Sequence, residues 1–369
     1  MLLNILWGLP SISSIGSVIL KILILILMLG IIILVHEFGH FIWAKKFGVH
    51  IYEFSIGMGP ILHSHKGKDK IDYNIRWIPI GGFVSMAGEV YDDDDKIKKS
   101  DLLCNKPWWQ RIIILCAGVF NNFLLAIAFF IIYAAIWGAE PITPTIGKIE
   151  PGTAAAEKLA VGDTIIGVNG YSTSSWDKAQ LILLTYSTED GVYDFKVRHE
   201  DGKEETIQVK PEMIEDKQLG KRPYFGIAIK PVEKQSFGTV LAYGFRKFAS
   251  VFDSMIFTIS GLITGKISLS ALSGPVGMYE VVDQSVSSNL SMTFNRIIFL
   301  IAYLSVNVGL INILPFPAFD GGHVLFVIIE KIKGSPVNAK FENICHIIGF
   351  ILIFALMIII TIKDIIKLF

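Results

Sequence analysis

Charge is scarce in this sequence. Of 369 residues, 33 are Lys or Arg and 33 are Asp or Glu, 18% in all, against roughly 25% in an ordinary soluble domain. The two signs cancel to a formal net charge of zero. That removes the basic field on which nucleic-acid binding draws, and neither a nucleic acid nor a nucleotide is expected as a partner. Cysteine is scarcer still. Cys104, Cys116 and Cys345 have no framework spacing, which sets aside a disulfide scaffold or a cysteine metal site and leaves small buried or loop thiols. The first apolar run lacks a preceding basic segment and is longer than the apolar core of a signal peptide, so it reads as a permanent anchor.

Apolar length is what the chain has in abundance. Hydrophobic residues make up 52% and the mean hydropathy is +0.55. About 20 apolar residues cross a bilayer core, and residues 15–35, 112–137, 297–314 and 344–362 meet that length, Lys21 being the one charge of the first run. Residues 319–329 are too short to span and read as a half-buried helix after the third span. The expected fold class is therefore an α-helical polytopic membrane protein of about four transmembrane helices. The connection over residues 45–110 is dense in Lys and Arg, and Lys331, Lys333 and Lys340 mark the last connection. That bias keeps both on the cytoplasmic side, although Lys363 and Lys367 run against it. The long segment 139–293 is then outside.

Within it, residues 141–231 read as a small, mostly β domain. Strand-like runs at 145–149, 164–168, 193–197, 205–209 and 225–229 alternate with turn signals such as Asn169-Gly170 and Asp201-Gly202, with one helix at Trp176–Thr185. Residues 232–293 read as amphipathic or linker helices. Residues 1–140 and 294–369 hold the first and second pairs of spans. The stretch YDDDDKIKK at 91–99 reads as a solvated loop.

Polar residues inside the apolar runs carry the chemistry. Residues 36–40 read His-Glu-Phe-Gly-His. On a helix, positions four apart share a face, so His36 and His40 can reach one Zn²⁺, with Glu37 beside the bound water as acid and base. Ionisable residues in a span are costly and mark function. A pair of packing histidines tied to a carboxylate is the structural alternative. Catalytic zinc needs a third protein ligand and an open position, and Asp320 is the candidate. It follows the third span among Pro315, Pro317, Gly321 and Gly322, which interrupt the helix. Non-helical backbone at that depth is tolerated where it lines a wet cavity or is buried in protein. An N-cap role for Asp320 is the alternative.

Several blocks in order along nearly the whole chain resemble the site-2 protease family of intramembrane zinc metalloproteases, in its bacterial regulator of sigma-E protease group. Beside HEFGH they are FSIGMGP at 54–60, IPIGGFVSMAGE at 78–89, AGVFNNF at 117–123, SGPVG at 273–277 and NILPFPAFDGG at 312–322. The resemblance implies that His36, His40 and Asp320 bind Zn²⁺ and that Glu37 is catalytic. It implies that Asn307 and Asn312 hold the unwound backbone of a substrate. It also places Gly81, Gly82 and Phe83 on a membrane-facing β-hairpin whose edge adds the substrate as a strand. The external domain resembles one PDZ domain, from GKIEPG at 147–152 and VGDTIIGVNG at 161–170. Departures are Phe319 for a leucine, Val119 for a proline, and EKLAV at 157–161 where an alanine-glycine-leucine is usual. Single-span proteins of the anti-sigma-factor or remnant-signal-peptide type are the implied substrates, cut in the bacterial inner membrane after an external first cleavage. The external domain is then a size filter. Two readings of other classes compete: an inactive metal-binding scaffold that uses the PDZ-like domain, and a metal transporter, for which inverted repeats are lacking.

Overall fold

The computed structural model describes residues 12–89, 97–186, 191–216, 220–231, 236–269, 272–287 and 289–367. Most of the acidic stretch, residues 91–96, lies outside them.

Four helices are long and apolar enough to cross a membrane: α1 (Ile12–Lys46), α2 (Trp108–Trp137), α6 (Leu290–Ile313) and α8 (Ala339–Lys367). Each contains one of the predicted apolar runs almost entirely. In lipid no water satisfies the backbone, so such runs fold as helices that bond internally. Exposed Phe350, Ile351 and Ile359 on α8 are what a lipid-facing helix presents. Between α1 and α2 lie β1 (Ile51–Lys66) and β2 (Asp72–Met86), and after α2 come β3 (Ile146–Ile149), β4 (Thr164–Val168), β5 (Tyr171–Ser172), α3 (Trp176–Thr185), β6 (Tyr193–Arg198), β7 (Glu204–Val209), β8 (Glu212–Asp216), β9 (Gly220–Tyr224), β10 (Ile227–Ile229), α4 (Phe237–Ile263) and α5 (Pro275–Ser285). The helix α7 (Asp320–Lys333) follows α6.

The chain divides into two compact units: residues 1–126 with 273–369, and residues 127–272. In the first unit, α1 and α2 approach closely. A Cβ at Gly39 would stand 2.3 Å from the Ala117 carbonyl oxygen, so only glycine permits that spacing. The Asn121 amide donates to the Val35 carbonyl at 3.2 Å and ties the same two helices. The charges in the apolar runs have partners. Lys21 pairs with Asp283 of α5. Asp364 of α8 accepts the N–H groups of Gly274 at 2.7 Å and Gly277 at 3.2 Å, capping α5 at its positive end. The SGPVG block is thus where a carboxylate from another helix meets a helix start.

β1 and β2 form more than a simple hairpin. Residues 53–56 pair with 82–85 on one side and with 72–75 on the other, and 61–66 pairs with 72–76. The 82–86 end of β2 has one partner strand only among the described residues. Ile56, Met58, Ile61, Leu62, Trp77 and Ile78 are exposed, an apolar surface of the kind a bilayer covers.

In the second unit, four strands pair in the order β5-β4-β6-β7, with β10 on β3 and β8 on β9. The alternate inward residues Ile165, Phe195, Val197 and Val209 meet Ile146 and Ile182 in one core. Helix α3 begins at Ser175, whose hydroxyl accepts the Lys178 N–H at 3.3 Å. Asp177 of α3 binds Lys247 of α4 at 2.8 Å. Asp163 takes hydrogen bonds from the Ala160 N–H and the His199 ring, and the bond to Asp163 raises the His199 pKa. The β8–β9 hairpin was not anticipated from sequence.

Candidate metal centre

His36 and His40 lie one turn apart on α1, each 5% exposed. Their Nε2 atoms are 3.1 Å apart. Asp320, the first residue of α7, brings Oδ2 to 2.9 Å from His36 Nε2 and 3.4 Å from His40 Nε2. Ligand atoms on a tetrahedral zinc with bonds near 2.05 Å are about 3.4 Å apart, so the triangle is of the right size. The protons support the same reading. His40 Nδ1 is 2.8 Å from the Ile114 carbonyl oxygen. A carbonyl only accepts, so Nδ1 carries the hydrogen, which is the tautomer that lets a neutral ring give its Nε2 lone pair to a metal. That lone pair faces a carboxylate oxygen that is buried and has no hydrogen-bond partner. Two electron-rich atoms in that position call for a cation between them. Two imidazoles and one carboxylate are the donor set of a catalytic zinc with an open fourth position.

The loop that delivers Asp320 is tightly held. The helix start has no side-chain cap at Phe319 and Asp320 makes none, which sets aside the capping alternative. Ala318 adopts φ +81, a conformation costly for a residue with a Cβ, and its N–H donates to His346 Nδ1 at 3.0 Å. A Cβ at Gly321 would stand 2.3 Å from the Ile313 oxygen, and one at Gly349 of α8 2.4 Å from the Pro317 oxygen. The two prolines and the paired glycines thus shape a backbone turn that only small residues allow.

Glu37 is half-buried, and the Val84 N–H of β2 donates to its Oε2 at 3.1 Å. Glu37 is therefore fixed against the single-partner end of β2, the strand that holds Gly81, Gly82 and Phe83. Phe83 lies under the Arg76 guanidinium, 5.1 Å from ring centre to carbon. Asn312 reaches the site, with Nδ2 3.5 Å from His36 Nε2. Asn307, on the same helix, has a buried side-chain oxygen without a partner and is not placed against the metal set.

Sequence reasoning overlooked Gly118, Asn122 and a second histidine cluster. A Cβ at Gly118 of α2 would be 2.4 Å from His40 Nε2 and 2.8 Å from His36 Nε2. Asn122, fully buried, has Nδ2 3.2 Å from His36 Nδ1. Its motif match offered a signal that was read only as resemblance. The second cluster joins His323, Glu342 and His346, with the two rings stacked at 3.8 Å. His346 Nδ1 accepts from the Ala318 N–H, so its Nε2 carries the proton, and that atom is buried without a hydrogen-bond partner among the described residues. That imidazole is a clamp on the Asp320 loop rather than a metal ligand.

Four spanning-length helices, with an HExxH glutamate beside a His–His–Asp set whose two histidines are buried, define a membrane-embedded metallopeptidase. The model of peptidase family M50 matches residues 24–356, and the chain belongs to that family. It is 30% identical to the regulator of sigma-W protease RasP of Bacillus subtilis, over 93% of this chain and 98% of that one. It is 31% identical to the zinc metalloprotease RasP of Bacillus licheniformis, over 93% and 98%. A Fusobacterium nucleatum relative is 37% identical over 94% and 99%. Among solved structures, the PDZ domain of an SdrC-like protein from Listeria innocua matches at TM-score 0.20 and 22% identity, over 23% of this chain and 91% of that one, a likeness too slight to argue from.

Proposed function

We propose that this zinc metalloprotease is an intramembrane endopeptidase that cuts single-span membrane proteins within or beside their membrane segment, as a second cut after an external first cleavage. The observation that carries the reading is the convergence of His36, His40 and Asp320 on one buried point with Glu37 held beside it. His36 and His40 Nε2 and the Asp320 carboxylate would hold Zn²⁺. Bound there, the ion supplies a water acidified to a pKa of about 7 and an electrophile for the scissile carbonyl. Glu37 accepts the proton of the attacking water and returns it to the leaving amine. The Val84 N–H fixes which oxygen of Glu37 is engaged and leaves the other free for that work. A scaffold that only binds metal has no need of a carboxylate so placed.

The peptide bonds of a helix are closed to attack until it unwinds, and each exposed peptide group in lipid costs several kcal/mol. In this account, the 82–86 end of β2 receives the substrate as an added strand, and Asn312 and Asn307 pair with its freed backbone groups. The single partner of that strand and its contact with Glu37 support this. Strand addition predicts a period of two. With Phe83→Cys in a Glu37→Gln background, disulfide cross-links to single-cysteine reporters should recur at every second residue around the cut. A spacing of three and four would mean a helical substrate and would contradict it.

In this account residues 45–110 face the cytoplasm at a bacterial inner membrane, a side that their positive charge supports, and residues 141–231 lie outside as a PDZ-like size filter. Substrates of the anti-sigma-factor or remnant-signal-peptide type fit such a filter. The test uses two reporters with one membrane segment, one trimmed outside and one carrying a folded external domain. Only the trimmed reporter should be cut by membranes holding the full chain. Equal cutting of both would remove the second-cut reading.

A further inference from the structure

We propose that Asn122 is a positioning residue for the metal, its side-chain oxygen accepting the Nδ1–H of His36. The inference rests on the reading that His36 is a metal ligand.

It starts from a difference between the two imidazoles. A histidine that gives Nε2 to a metal must carry its hydrogen on Nδ1, and that hydrogen needs an acceptor which fixes the tautomer and the ring plane. His40 has one, the Ile114 carbonyl oxygen at 2.8 Å. Among the described residues, His36 has no backbone carbonyl in that role. What faces its Nδ1 is the amide of Asn122, 3.2 Å away at Nδ2, while the Asn122 Oδ1 is buried without a partner.

The two ends of an amide have nearly the same shape and are distinguished by their hydrogen-bond partners. One end of this amide stays unpartnered in either orientation, so the amide itself does not decide. His36 does. With Nε2 given to a cation, Nδ1 holds a hydrogen, and an N–H cannot face an NH₂. Turning the amide by half a rotation puts Oδ1 against Nδ1–H. The backbone of Asn122 is held for this, because its carbonyl accepts the Ser305 hydroxyl of α6 at 2.9 Å and its neighbour Asn121 is bonded to α1. Three helices therefore converge on the group that orients one ligand.

Two substitutions separate this from a packing role. Asn122→Leu keeps the volume and removes the acceptor. Asn122→Asp keeps the shape, removes the donor and strengthens the acceptor. Zn²⁺ affinity of the purified full chain in detergent is measured by competition with a chelator, and the visible spectrum of the Co²⁺ form reports ligand geometry. Loss of a group that orients a ligand typically costs 10–100-fold in metal affinity. Asn122→Leu should bind zinc 10–100-fold more weakly with an altered Co²⁺ spectrum, and Asn122→Asp should bind as tightly as wild type or tighter. Unchanged affinity in Asn122→Leu overturns the proposal, as does equal weakening in Asn122→Asp. If Asn122→Leu does not fold, Asn122→Asp decides alone: retained affinity supports an acceptor role and lost affinity overturns it. Wild type that binds no zinc would instead sink the metal reading on which the inference stands.

Discussion

Glu37→Gln leaves zinc in place and lowers cleavage by about 10²–10⁴-fold, the usual worth of a positioned acid and base. Glutamine matches glutamate in shape and still accepts the Val84 N–H through its amide oxygen, so the packing between α1 and β2 is kept. It cannot take a proton. His36, His40 and Asp320 are untouched, and the metal they hold is expected at the wild-type stoichiometry. The paired measurements are zinc content by elemental analysis and reporter cleavage by gel mobility. Loss of both would place Glu37 among the groups that hold the metal. Retention of both would place the activity elsewhere.

Gly118→Ala is expected to empty the centre without touching any ligand. The added Cβ would stand 2.4 Å from His40 Nε2, far inside contact distance, so one imidazole must swing away or α2 must withdraw. Withdrawal is opposed by the Asn121 amide, whose bond to the Val35 carbonyl at 3.2 Å ties α2 to α1. Swinging His40 away breaks its bond to Ile114 and removes one of three ligands. The prediction is a full-length protein inserted in membranes at the wild-type level, with zinc lost and cleavage undetectable. Normal zinc content in Gly118→Ala would mean that the metal is not held at this triangle.

Much of this site was legible because membrane polarity is so costly. His36, Glu37, His40 and Asp320 stood out as charges in apolar runs, and helical spacing put the first three on one side of α1. The spans were legible for the same reason. What stayed hidden depends on proximity between distant segments. Gly118 reads as one small residue in an apolar helix until the imidazoles are seen against it. Asn122 could be matched to a motif, yet its partner is 86 residues away. His346 is one histidine within the apolar run 344–362, and its work, clamping Ala318 in a costly conformation, appears only when α8 packs on the loop. The loop glycines Gly321 and Gly322 were read as helix breakers, whereas carbonyl oxygens occupy the space their side chains would need. The β1–β2 segment was anticipated as a hairpin, but its double pairing depends on register shifts that no alternation pattern encodes.

The central claim is that peptide bonds are cut at a zinc held by His36, His40 and Asp320. The most direct measurement takes the purified full chain in lipid vesicles with a trimmed single-span reporter and weighs the products by mass spectrometry before zinc removal by a chelator, after it, and after zinc is returned. The account predicts fragments that part within or beside the apolar segment, absent from the stripped protein and restored by zinc, with no restoration in Asp320→Ala. Cleavage that persists at full rate in the stripped protein would contradict it.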